Sequence, residues 1–282
     1  MGTKFARRLI ITADDFGAAV EVNAAVEQAH REGVLTAASL MVTGVAAGDA
    51  IERARAMPDL GVGLHLVLVE GRPALPPDLV PDLVDRQGLF RTDMVRAAVA
   101  MAFLLRVRRQ LFAEVEAQFA AFAATGLRLD HVNAHKHFHL HPVILSAMLA
   151  AGRKHGMAAI RAPVEPRPVL AAIEPDTPPR RDPAGPWARL TRARLRSAGL
   201  TVPDQVFGLA WSGALTPERL RGLIEYLPPG LTEIYTHPAT GPYPGSAPGY
   251  GYATELTALT DPLAKAAIAR ENIALGAFGA FA

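Results

Sequence analysis

Leu129-Asp130-His131-Val132-Asn133-Ala134 runs directly into His135-Lys136-His137-Phe138-His139-Leu140-His141-Pro142. The first six residues read as a short strand, and 143–155 has helical spacing, so the histidines occupy the loop of a strand–loop–helix unit. Five of the chain's nine histidines fall here, too dense a group for scattered core residues. His135, His137, His139 and His141 alternate with other residues. That period predicts an extended backbone with four imidazoles on one side and Lys136 facing away. Neutral imidazole is a metal ligand and a proton carrier near neutral pH. A solvated loop is the bland alternative for a histidine-rich tract.

Working outward, the same unit recurs. Strands are expected at 8–13, 37–42, 61–66, 158–161, 205–211, 233–237 and 273–278, besides 129–134. Helices are expected at 20–32, 46–57, 94–109, 111–124, 143–155, 187–198, 217–227 and 262–272. Residues 69–81 and 163–186 are too rich in Pro and Gly for regular structure. Alternating strands and helices imply parallel pairing through crossovers. Eight such units in 282 residues predict an α/β (β/α) barrel, TIM-like or an incomplete version of it. Residues 1–282 read as a single catalytic domain with rim insertions at about 70–109 and 163–200. A doubly wound open sheet is the alternative.

Composition narrows the chemistry. With no cysteine, a metal site here must use His, Asp or Glu. Lys and Arg exceed Asp and Glu by 29 − 27 = 2, so the basic character is regional. Arg91, Arg96, Arg106, Arg108 and Arg109 form one cluster; Arg180, Arg181, Arg189, Arg192, Arg194 and Arg196 form another. No recognition motif accompanies them, and nucleic acid is not an expected partner. The apolar run 97–105 stops at Arg106, well short of the roughly 20 residues a bilayer span needs. The N-terminal stretch is too short and too acidic for a signal peptide, so a cytoplasmic protein is expected.

In such folds the functional groups gather where strands end. Asp14 and Asp15, His65, the 135–141 tract, Arg161 and His237 all fall at expected strand ends. One carboxylate with two imidazoles is a facial ligand set for a divalent metal with open positions. Successive strand residues face opposite ways, so Asp14 and Asp15 need not share one role. Capping of the following helix is the ordinary alternative for either one.

Thr12-Ala13-Asp14-Asp15-Phe16-Gly17, Gly63-Leu64-His65-Leu66, His135-Lys136-His137-Phe138-His139 and Thr236-His237-Pro238 together resemble the YdjC-type carbohydrate deacetylases. Ile160-Arg161-Ala162-Pro163-Val164-Glu165-Pro166, with the arginine-rich segment after it, resembles the hopanoid-biosynthesis (HpnK-type) branch. The resemblance implies a metal-dependent N-deacetylase. Asp15, His65 and His135 would be metal ligands, Asp14 the general base and His237 the general acid. Zn²⁺ is the implied ion, with Mg²⁺, Co²⁺ or Ni²⁺ as alternatives. His137, His139 and Arg161 stand as candidate substrate-binding residues. The branch implies an N-acetylglucosaminyl hopanoid of the bacteriohopanetriol type as substrate, with soluble chito-oligosaccharides as the alternative.

Two other classes compete. A metal-dependent lyase or aldolase would use the same ligands but want a lysine or acid near the metal, and the expected outward Lys136 counts against it. A non-catalytic sugar- or lipid-binding barrel would not need clustered acid, base and ligand candidates. The expected partner is an acetylated amino sugar, lipid-linked in the hopanoid reading, and a homodimer is compatible with the sequence. The apolar stretch Val95, Val99, Ala102, Phe103 and Leu104, closed by arginines, suggests peripheral contact with the inner membrane surface. A lid packed on the barrel is the alternative use for it.

Overall fold

The computed structural model describes residues 7–176 and 184–282. In chain order the strands are β1 (Arg7–Phe16), β2 (Ala37–Leu40), β3 (Gly61–Leu66), β4 (Val132–Ala134), β5 (Gln205–Phe207), β6 (Gly230–Thr236) and β7 (Ala274–Leu275). All pair in parallel in the order β4-β3-β2-β1-β6-β5, with β7 on the start of β1. The sheet curls into a TIM-like α/β half-barrel. Single parallel bridges Val132↔Ile160 and Ala159↔Thr201 continue the pairing beyond β4.

The expected strand at 158–161 is therefore two isolated bridges, and seven strands are found among the described residues where eight were expected. Ala158 and Ala159 carry little side chain to hold a longer ladder there.

Alternation along β1 separates two environments. Leu9, Ile11 and Ala13 join the large core beneath the helices. Ile10 faces the inside of the curl, in a small cluster with Ala37, Ala159, Leu231 and Phe278. Thr12 and Asp14 share its face by period, so the interior turns polar towards the strands' C-terminal ends. Each fully buried Leu or Ile contributes about 1.5–3 kcal/mol, and most of that core lies outside the curl, against helices.

Those helices are α1 (Val20–Glu32), α2 (Ala47–Arg55), α3 (Met94–Phe103), α4 (Leu105–Ala124), α5 (Pro142–Lys154), α6 (Arg167–Ile173), α7 (Gly185–Ser197), α8 (Pro217–Glu225), α9 (Tyr252–Leu259) and α10 (Pro262–Arg270). The expected helix at 94–109 breaks at Leu104, whose backbone is extended. Arg108 folds back to donate to the carbonyls of Met101 and Ala102, satisfying the end of α3 and stabilising the break. Within 163–186, expected to be irregular, α6 forms with Pro168 in its first turn, where proline's missing N–H costs nothing. Helix α9 was not anticipated at all. Arg180 and Arg181 lie outside the described residues.

The histidine tract departs most from expectation. His135–Leu140 is a tight 3₁₀ turn interrupted by left-handed Lys136 and His137 (φ 54° each), not an extended segment. Side chains separated by two positions therefore do not share one face. Lys136 consequently reaches the cavity rim and pairs with Glu70, so the ground for setting a lyase aside on its orientation is removed.

Candidate active site

A register slip between Ala13 and Phe16 puts Asp15 in the left-handed region (φ 63°). This bulge brings both Asp14 and Asp15 to one cavity, correcting the expectation that they face opposite ways. Neither caps α1, whose N-cap is Ala19. Asn23 from α1 holds the turn instead, its Oδ1 accepting from Gly17 N at 2.8 Å. Gly17 needs its freedom here, with φ 93° and a Cβ position only 3.0 Å from the Met41 carbonyl.

Three donor atoms converge beside the bulge. His65 Nε2 and His135 Nδ1 each lie 3.2 Å from Asp15 Oδ1, and 3.4 Å from each other. A tetrahedral ion with ligand bonds of about 2.0–2.1 Å places its ligand atoms about 3.3–3.4 Å apart, so the triangle has the edge length of a metal site. His65 Nδ1 gives its proton to Asn133 Oδ1 at 2.7 Å, leaving the Nε2 lone pair aimed at the same point. Asp15 Oδ1 has no hydrogen-bond donor of its own. The group Asp15, His65 and His135 fits a divalent cation on side-chain chemistry alone.

The surrounding charge favours a cation. Asp14 and Glu233 share one guanidinium, and the Asp15 carboxyl adds a further negative charge at the same cavity. Arg161 donates to Asp14 through Nη1 and Nη2 (2.5 and 3.0 Å) and to Glu233 through Nε and Nη2 (3.0 and 2.6 Å). Burial alone would raise the Asp14 pKa, but Arg161 and then His65 hold it well below the usual carboxylate range. Asp15 is likewise held low against its burial, chiefly by His135. Burial lowers the His65 pKa, yet the two aspartates outweigh it and raise the net value.

The cavity, about 620 Å³, is lined by Asp14, Asp15, His65, His135, His137 and His237. It also takes in Tyr235, Tyr243, Tyr250 and Tyr252, four of the chain's five tyrosines. The His237 ring lies edge-on to Tyr235 and Tyr250, with centroids 5.6 and 5.4 Å away, and its Nδ1 meets no protein partner. Its backbone N–H donates to Glu255, which also accepts from Leu215 and so ties the β6 end to the following loops. His137 Nε2 lies 3.1 Å from the Tyr235 hydroxyl, and burial followed by Arg161 holds its pKa well below the ordinary value.

Two of the expected substrate-binding residues are placed elsewhere. Arg161 is 0 % exposed and lies beneath the cavity, stacked 4.6 Å from the Tyr235 ring. His139 is fully buried outside the cavity lining, where burial and then Arg161 hold its pKa down at about 3. The tyrosines, Asn133, Glu70 and Glu233 escaped the sequence reading. A visible signal was the run 241–252, where three tyrosines sit among Gly and Pro just after Thr236-His237-Pro238.

A family model described as YdjC-like protein matches residues 8–270. The chain belongs to the YdjC-like family. Among its relatives, a carbohydrate deacetylase of Geobacillus stearothermophilus is 31% identical over 275 residues, covering 95% of this chain and 96% of that one. A chitooligosaccharide deacetylase of Yersinia pestis (strain Pestoides F) is 28% identical over 282 residues, covering 96% and 97%. The match to a carbohydrate deacetylase of Brevibacillus brevis reaches 40% identity, but spans only 52% of this chain and 56% of that relative. A crystal structure from Enterococcus faecalis V583, described as a candidate cellobiose-phosphate cleavage protein, superposes with a TM-score of 0.76 at 26% identity, covering 98% of this chain and 99% of that one.

Proposed function

We propose that this YdjC-like chain is a metal-dependent carbohydrate N-deacetylase, a single catalytic domain that hydrolyses the acetamide of an N-acetylglucosaminyl group. The observation that carries the reading is the triangle of Asp15, His65 and His135 at the floor of a tyrosine-walled cavity, with His237 on the same wall system. The names of the relatives support the same chemistry. A divalent ion, Zn²⁺ on this donor set, supplies Lewis-acid polarisation of the carbonyl and lowers the pKa of a water.

The chain's own groups do the rest. Asp14, kept ionised by Arg161, accepts the proton of the attacking water. Its depressed pKa makes it a weak base, so it also orients that water through a carboxylate fixed by Arg161 and Asn133. His237 donates a proton to the departing amine nitrogen, and acetate leaves. Tyr243, Tyr250 and Tyr252 offer apolar ring faces to a sugar, while their hydroxyls suit its oxygens. His137, at the cavity wall, is a substrate contact; Arg161 serves through Asp14.

For the substrate we favour a lipid-linked, hopanoid-type amino sugar, the reading implied by the 160–166 segment. In that segment Glu165 accepts from the N–H groups of Gly208, Leu209 and Ala210 and so shapes the loop bearing cavity residue Leu209. Peripheral docking on a membrane fits the exposed Val95, Val99, Phe103, Leu104 and Leu105. Phe103 is 78 % exposed, which supports docking over a lid packed on the barrel. The arginines contribute less than their number suggests, because Arg106 pairs with Asp82 and Arg108 caps α3, leaving Arg96 and Arg109 exposed. No described helix is long and apolar enough to cross a membrane. A soluble chito-oligosaccharide is the second reading, favoured by the Yersinia relative's name. Mass-spectrometric assay of acetate release from an N-acetylglucosaminyl hopanoid and from a chitin oligosaccharide, with and without chelator, separates the readings. Activity on neither substrate, or activity indifferent to chelation, overturns the proposal.

A further inference from the structure

The inside of the half-barrel holds a line of buried polar groups from its lower end to the candidate metal ligands. Asp130 Oδ2 accepts from Phe278 N at 3.2 Å and Oδ1 from Gly279 N at 2.7 Å, tying down the turn that plugs the lower end. The same carboxylate lies 3.0 Å from His131 Nδ1. His131 Nε2 lies 3.0 Å from Ser39 Oγ, which is 2.9 Å from Asn133 Nδ2. Asn133 Oδ1 is 2.7 Å from His65 Nδ1. Ser39, His131, Asn133 and His65 are all buried, so water does not compete for these bonds.

The direction of every link follows from its ends. A carboxylate already accepting two N–H groups is an acceptor, so His131 Nδ1 carries the proton. The Asn133 amide nitrogen faces two acceptors, Asp14 Oδ1 at 2.9 Å and Ser39 Oγ, and therefore its carbonyl faces His65. Ser39, receiving from Asn133, has its own proton left for His131 Nε2. His65 must then present Nδ1–H to the Asn133 carbonyl, which leaves Nε2 as the lone pair turned to Asp15 and His135. His65 and Asn133 are register partners on β3 and β4, so the last bond lies across a regular strand pair. Gly63, two residues before His65, makes room for the chain: a Cβ there would lie 2.5 Å from His131 Cε1.

We propose that Asn133 is the positioning residue that fixes the tautomer of His65, and that Asp130, His131 and Ser39 form a one-way hydrogen-bonded brace holding Asn133 from the far end of the half-barrel. This rests on the reading of Asp15, His65 and His135 as a metal site. The brace touches neither metal nor substrate, so its effect appears in metal affinity and in the ring nitrogens of His65.

The experiment uses the full chain. Zn²⁺ affinity is measured by chelator competition, and the His65 nitrogens by ¹⁵N-detected NMR of the metal-free protein at a pH alkaline enough to keep the ring neutral. Asn133→Ala should weaken Zn²⁺ binding by about 10- to 100-fold, the usual cost of losing a ligand's outer hydrogen-bond partner, and shift His65 to mixed tautomers. Ser39→Ala, the gentler change should Asn133→Ala fail to fold, should move both readouts the same way by a smaller factor. Wild-type affinity together with a wild-type His65 spectrum in both folded variants overturns the brace. Native protein that binds no Zn²⁺ overturns the metal-site reading instead, while the NMR of the metal-free protein still decides the tautomer.

Discussion

Asp14, in the cavity lining, and Arg161, beneath it, form a two-armed ion pair with Nη1–Oδ2 at 2.5 Å and Nη2–Oδ1 at 3.0 Å, although 147 residues separate them in sequence. Both side chains are buried, so water does little to replace the partner if one is lost. Arg161→Met should cost about 3–5 kcal/mol of stability, because Asp14 and Glu233 then face each other without a cation. Chemical denaturation checks this, and a loss below about 1 kcal/mol would show the triad to be solvated.

The same pair fixes a pH dependence. The Asp14 pKa is depressed from an ordinary value of 3.8, so its contribution to stability is fully present above about pH 4 and is lost as pH falls below it. Asp14→Asn should therefore be less stable than the native protein at pH 7, with the gap narrowing in acid. Melting curves at pH 7, 5 and 3 read the effect; a gap that widens in acid contradicts the assignment.

For turnover, Asp14→Asn should retain bound metal yet lose a factor on the order of 10²–10⁴, the range for losing a general base. Metal content and rate are measured on one preparation. An empty site in this variant, alongside a filled one in Asp15→Asn, means the two aspartates have exchanged roles.

His65→Ala removes one corner of the triangle and should abolish both metal binding and deacetylation. Elemental analysis beside the acetate assay is the check. Full occupancy with normal turnover would remove His65 from the ligand set.

Tyr243→Ala should raise KM for an N-acetylated sugar while leaving metal content unchanged, since the ring lines the cavity without belonging to the ligand triangle. An unaltered KM would place the sugar elsewhere.

Phe103→Asp with Leu104→Ser should abolish flotation with anionic vesicles and leave turnover on a small acetamido sugar intact. Insertion of two or three apolar side chains beside basic residues gives reversible docking, at about 0.8 kcal/mol per buried CH₂. A native chain that ignores such vesicles at low salt sinks the docking idea.

Much of this was legible in the residues. β3 and α1 appear where their periodicity put them, at 61–66 and 20–32, because a strong pattern and tertiary packing agree there. Strand ends marked Asp14, Asp15, His65 and the histidine tract as candidates, while the choice of Asp15, His65 and His135 as the ligand set came from the family resemblance. The histidine turn was not legible, because Lys136 and His137 are left-handed without being Gly or Asn, the residues that signal this conformation. Arg161 was misplaced for a different reason. Its position depends on Glu233, 72 residues away, and an interior ion pair leaves no local periodicity.

Four of the five non-glycine residues with positive φ among the described residues, Asp15, Glu70, Lys136 and His137, line the cavity. Each such conformation costs on the order of 1 kcal/mol or more, repaid elsewhere in the fold. For protein engineers this makes the centre hard to transplant. Copying one aspartate and two histidines onto another barrel would carry the ligands without the contorted main chain that aims them. A successful graft would have to take 13–17 and 134–138 as whole loops.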